Sequence, residues 1–127
     1  MKLAALAIIT LSAAALAACS PKAVEAPMLA GVCFHVAFPK EGEVKFNKLA
    51  ENVPNLETCA AALEGMRLRF RQLGGAEEIV GAYQGQYLFL SSRGVQSAQS
   101  LTGVRYTALV PTGDGRLAVP GAMPASQ

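Results

Sequence analysis

Leu56, Cys59, Leu63, Met66, Phe70 and Leu73 recur at spacings of three, four, three, four and three, and this apolar stripe limits the available folds most. Apolar residues repeating near a 3.6-residue period mark one face of a helix, and that face must be buried against another element. Asn55, directly after Pro54, is the candidate N-cap, since its side-chain oxygen can accept from exposed backbone N–H groups. Gly74-Gly75 supplies the stop. Glu57 near the start and Arg67, Arg69 and Arg71 near the end suit the helix dipole.

The segments around this helix have the two-residue period of strands. Over residues 31–38, Val32, Phe34, Val36 and Phe38 share one face, while Cys33, His35 and Ala37 share the other. Cys33 therefore lies opposite the bulkier residues, which requires either that both faces be covered or that Cys33 sit at a distorted strand end. Pro39-Lys40-Glu41-Gly42 is a turn signal, after which Val44 and Phe46 suggest a short returning strand or an extended loop. Residues 77–83 and 86–91 read as two strands joined by a tight turn at Gln84-Gly85. Val95, Ala98 and Leu101 have helical spacing within 94–101; residues 104–110 alternate again, 111–115 form a turn, and 116–119 suggest an edge strand. The expected class is α+β, a small antiparallel sheet with one main helix packed on it. Two arrangements fit: a ferredoxin-like β-α-β-β-α-β order, or one long helix on an antiparallel meander with 94–101 as a loop.

At the N-terminus, Lys2 precedes an apolar run from Leu3 to Ala18 that ends in small residues, the layout of a secretory signal. A membrane span is the competing reading, but it needs about 20 apolar residues and this run is shorter. An ordinary secretory signal cut after Ala15-Leu16-Ala17 is another. Leu16-Ala17-Ala18-Cys19 resembles the lipobox of bacterial lipoproteins. That resemblance implies a diacylglyceryl group on the Cys19 thiol, cleavage just before Cys19, and often acylation (palmitate) of the new amino group. One acyl chain binds a bilayer only marginally, whereas two or three hold essentially permanently. Ser20, where some lipoproteins carry Asp, resembles the pattern passed on to the outer membrane, facing the periplasm. The expected organisation is a cleaved signal at 1–18, a lipidated tether at 19–30 containing two prolines, a single α+β domain at 31–119, and a disordered tail at 120–127.

With Cys19 assigned to lipid by that resemblance, Cys33 and Cys59 are left as the pair an oxidising envelope compartment would join; two buried free thiols are the alternative. In the chain-entropy picture such a loop contributes roughly 3–4 kcal/mol, and the bond would staple the helix to the first strand. Removing residues 1–18 from the 127 leaves 109, enough for one domain. Ten basic residues then face nine acidic ones, so neither a nucleic-acid partner nor a cation store is indicated. One histidine and no C-x-x-C leave a metal site short of ligands, and no cofactor is expected.

The candidates for chemistry are few. His35 is mid-strand, and no G-x-S-x-G or H-E-x-x-H spacing accompanies it. Glu77 and Glu78, read as neighbours in a strand, should point to opposite faces, and Glu41 and Glu43 flank a turn glycine. Arg67, Arg69 and Arg71 are spaced by two, so on a helix they do not form one anion-gripping patch. Tyr83, Tyr87, Phe89 and Tyr106 serve either as core or as a surface for stacking on sugar rings. Gly113-Asp114-Gly115 is a turn with no Gly-Lys-Ser/Thr behind it. The expectation is a non-enzymatic lipoprotein, attached to the membrane through Cys19, that binds or supports another envelope component, protein or peptidoglycan. The strand–helix–strand order over residues 31–110, with aromatics on the later strands, weakly resembles sporulation-related repeat domains, which implies a peptidoglycan-binding alternative. A small envelope enzyme or an enzyme inhibitor is the third reading.

Overall fold

The computed structural model describes residues 23–114 and 116–121. The expected signal at 1–18, the expected lipidation site Cys19 and most of the expected tail at 120–127 lie outside the described residues. Strands β1 (Cys33–Ala37), β2 (Lys45–Ala50), β3 (Ile79–Tyr83), β4 (Gln86–Ser91), β5 (Gly94–Ala98), β6 (Tyr106–Pro111) and β7 (Leu117–Ala118) form one sheet, and helix α1 (Leu56–Gln72) follows β2. The sheet order is β2-β1-β3-β4-β5-β6-β7 with every neighbour antiparallel. The chain is therefore α+β with the sheet dominating.

Local chemistry sets the limits of α1. Asn55 Oδ1 accepts from Thr58 N at 2.8 Å and from Thr58 Oγ1 at 2.7 Å. At the far end Gly74 takes φ +80°, its N–H donates to Arg71 O, and Gly75 N donates to Phe70 O, the paired bonds of a Schellman stop. Cys59, Ala60 and Leu63 are buried, with Leu56, Met66 and Phe70 partly buried beside them. Leu73 lies just past the helix and is 85 % exposed, so the buried stripe ends at Phe70, three residues before its spacing suggests.

Both sides of the sheet are covered, which explains how Cys33 and Phe34 can both be buried. On the helix side Cys33, Ile79, Tyr83, Leu88, Leu90, Val95 and Leu109 pack beneath α1. On the other side Phe34, Val36, Ala82, Tyr87, Phe89 and Ala98 form a second cluster that includes Ala26. Residues 24–28, read from sequence as part of a tether, are docked here. Tyr87 Oη donates to Val24 O at 2.6 Å, Gly85 N donates to Pro27 O at 3.0 Å, and Ala26 is 5 % exposed.

Of the two readings of 94–101, a short helix or a loop, neither holds over its first part: residues 94–98 are β5. Gly94 adopts φ +118°, which glycine tolerates best, and a Cβ there would overlap Leu109 O. The turn at Ser92 and Arg93 then lays β5 along β4, satisfying backbone groups that a short isolated helix would leave exposed. Val95 packs under α1 and Ala98 joins the second cluster, so strand alternation accounts for both burials. With one helix among the described residues, the order is not β-α-β-β-α-β. The Gln84-Gly85 turn does form, with φ +45° and +84°, the double positive φ of a type I′ hairpin. Among the described residues no helix is long and apolar enough to cross a membrane.

Candidate ligand cleft

At the end of the sheet where β3 begins and β4 turns into β5, an open cleft of about 600 Å³ is lined by Glu77, Glu78, residues 91–96, Arg105, Thr107 and Leu109. Its size lies within the range of small-molecule sites, but its rim is charged rather than apolar. Glu77 and Glu78 precede β3 in an irregular link, so strand alternation does not separate them and both line the cleft. This corrects the expectation that they diverge.

Three of the four rim charges are held by a neighbour. Ser92 Oγ donates to Glu77 Oε1 at 3.0 Å. Arg105 Nη1 lies 3.4 Å from Glu78 Oε2, and its guanidinium stacks 3.6 Å from the Phe89 ring centroid, a cation–π contact that fixes its plane. Arg93 sits in the β4–β5 turn and makes no ion pair among the described residues. Beneath the rim, Arg67 Nη1 donates to Glu77 O at 3.2 Å, tying α1 to the link. Arg67 also grips Glu64 through Nε at 2.8 Å and Nη2 at 2.6 Å. These Glu64 bonds raise the pKa of its guanidinium above the ordinary value. Two carboxylates and two guanidiniums in one cleft suit a ligand that presents both an ammonium and a carboxylate.

The other sequence candidates are placed elsewhere. Cys33 and Cys59 are joined in a disulfide with a Cα–Cα distance of 5.4 Å, fully buried between β1 and α1. His35 lies on the helix side of β1, edge-on to Phe70 with ring centroids 5.8 Å apart, and burial lowers its pKa. Glu41 and Glu43 are exposed in the β1–β2 turn, and Arg69 and Arg71 are exposed while Arg67 is buried, so the three arginines make no patch. Tyr83, Tyr87 and Phe89 are buried, and Tyr83 Oη is committed to Val53 O at 2.7 Å; Tyr106 is 66 % exposed. Asp114 accepts from Thr112 Oγ1 and, at 3.1 Å, from Arg116 N, which holds its carboxyl pKa below the usual range and marks a turn. No group of three or more metal-ligating side chains is assembled among the described residues.

Sequence reasoning missed Arg93, Arg105, Ser92 and Gln96. They come from segments remote from Glu77 and Glu78 in sequence, and no motif links them. No family model, curated protein or solved structure matches the chain.

Proposed function

We propose that the chain is an envelope lipoprotein, anchored through diacylated Cys19 and facing the periplasm, whose α+β domain binds another envelope component without catalysing a reaction. Leu16-Ala17-Ala18-Cys19 supports the anchor. The observation that carries the binding role is the cleft in which Glu77, Glu78, Arg93 and Arg105 converge. A peptide bearing both charge signs, such as a cell-wall stem peptide, suits it. The second reading, a peptidoglycan module that stacks aromatics on sugars, is less well supported because Tyr83, Tyr87 and Phe89 are buried.

The test combines mass spectrometry of the membrane fraction with co-sedimentation of the purified lipoprotein and isolated sacculi at low salt. A mature chain beginning at acylated Cys19, and pelleting lost in Arg93→Glu, support the reading with a cell-wall partner. An unlipidated chain removes the anchor. Pelleting that survives Arg93→Glu removes the cleft.

A further inference from the structure

We infer that the domain rests directly on the bilayer through the end of the sheet carrying the β3–β4 turn, with the cleft opening away from the membrane. This rests on the lipid-anchor reading, and the docked segment 24–28 adds what that reading lacks.

The chain is tied to the fold from Val24 onward. Val24 O accepts from Tyr87 Oη, Ala26 is buried, Pro27 O accepts from Gly85 N, and Gly31 N donates to Gln84 Oε1 at 3.0 Å. Five residue steps separate Cys19 from Val24, a span of at most about 18 Å when fully extended. A domain of this size is roughly 30 Å across. An acylated Cys19 at the bilayer interface would therefore keep the docked segment within less than one domain diameter of the lipid. An 11-residue free tether would have allowed the domain to stand clear.

The chemistry of the two sheet ends then selects the face. Met28 is 81 % and Leu29 55 % exposed beside the Gln84-Gly85 turn, and Met28 lies so close to Gly85 that a Cβ there would overlap its sulfur. The β5–β6 loop at the same end, residues 99–105, has Arg105 as its one charged residue, its guanidinium drawn away to Glu78 and the Phe89 ring, and it leaves Val104 71 % exposed, next to exposed Tyr106. The acidic groups nearby are Glu25, Glu57 at the start of α1, and Glu51, which is paired with Lys48 at 2.6 Å. At the opposite end lie Lys40, Glu41, Glu43, Arg69, Arg71, Glu77, Glu78 and Arg93, the charges that a bilayer surface would have to desolvate. A strand of six residues sets the two ends roughly 20 Å apart.

The chain contains no tryptophan, so a single introduced one reports its own depth. The full-length lipidated protein, carrying either Met28→Trp or Arg93→Trp at these exposed positions, is reconstituted into phosphatidylcholine vesicles containing lipid brominated on its acyl chains. Emission from Met28→Trp is expected to fall about twofold relative to unbrominated vesicles, as for a side chain at the headgroup–acyl boundary, and Arg93→Trp to stay unchanged. Mass spectrometry of the same sample separates the two ways of failing. An acylated, vesicle-bound chain with equal or absent quenching at both positions overturns the orientation alone. A chain without acyl groups overturns both the orientation and the anchor.

Discussion

Gly81 of β3 lies directly beneath Leu63 of α1: a Cβ on Gly81 would overlap Leu63 Cδ1 and approach Phe34 O to 3.0 Å. The missing side chain lets the helix approach the sheet closely, with Leu63 fully buried over Gly81. Gly81→Ala should destabilise the domain by about 1–3 kcal/mol, because neither the buried Leu63 nor the β1 backbone can yield freely. Gly65→Ala, where a Cβ meets nothing within 4 Å, should instead stabilise by about 0.5–1 kcal/mol through helix propensity. Urea denaturation of the two variants checks the opposite signs; equal effects would remove the close-packing argument.

The buried disulfide closes a 26-residue separation between β1 and α1. Replacing both Cys33 and Cys59 with Ala should cost about 3–4 kcal/mol in the chain-entropy picture. The check is a denaturation midpoint that reductant lowers in the natural chain but leaves unchanged in the double variant.

Arg67 holds α1 to the β3 link through Glu77 O and is itself clamped by Glu64, three residues back on the same helix, with its side chain only 4 % exposed. Arg67→Met should cost about 2–3 kcal/mol, since it removes charge-assisted bonds and leaves the Glu64 carboxylate, whose side chain is only 19 % exposed, without its partner. Arg67→Met combined with Glu64→Gln should recover part of that loss, which a double-mutant cycle would measure.

Burial lowers the pKa of His35 below its ordinary value of about 6.5, so the folded state holds the imidazole neutral while the unfolded chain takes up a proton first. The resulting contribution to stability is full above the unfolded pKa and is lost as pH falls through the folded one. The melting temperature should therefore decline as pH drops below about 6.5, and His35→Phe should flatten that part of the profile. An unchanged slope in His35→Phe would assign the acid sensitivity to other groups.

Tyr87 Oη ties Val24 to the second face of the sheet. Tyr87→Phe should cost about 1 kcal/mol and speed amide hydrogen exchange over residues 24–28 selectively. Exchange that rises evenly across the sheet would instead indicate general loosening.

Where nearest neighbours in sequence decide the outcome, the structure was legible in advance. The Asn55 cap, the Gly74-Gly75 stop, the stripe of α1 and the Gln84-Gly85 hairpin all depend on contacts within a few residues. Residues 94–98 were misread because Val95 and Ala98 satisfy helical and strand patterns alike over so short a span. The docking of residues 24–28 was invisible because its partners, Tyr87 and Gly85, lie about sixty residues away.

The amino-acid sequence by itself thus determined an amphipathic helix with its caps and a set of short strands, and, on the expectation that Cys19 carries lipid, offered Cys33 and Cys59 as a candidate pair. Tertiary structure alone decided that both sheet faces are buried, that β5 pairs with β4, and that Glu77, Glu78, Arg93 and Arg105 meet in one cleft. The physical reason is range: caps, turns and periodicity act through backbone bonds only a few residues apart. Strand pairing and the convergence of charges depend on which distant segments can satisfy each other's backbone and apolar surface at once.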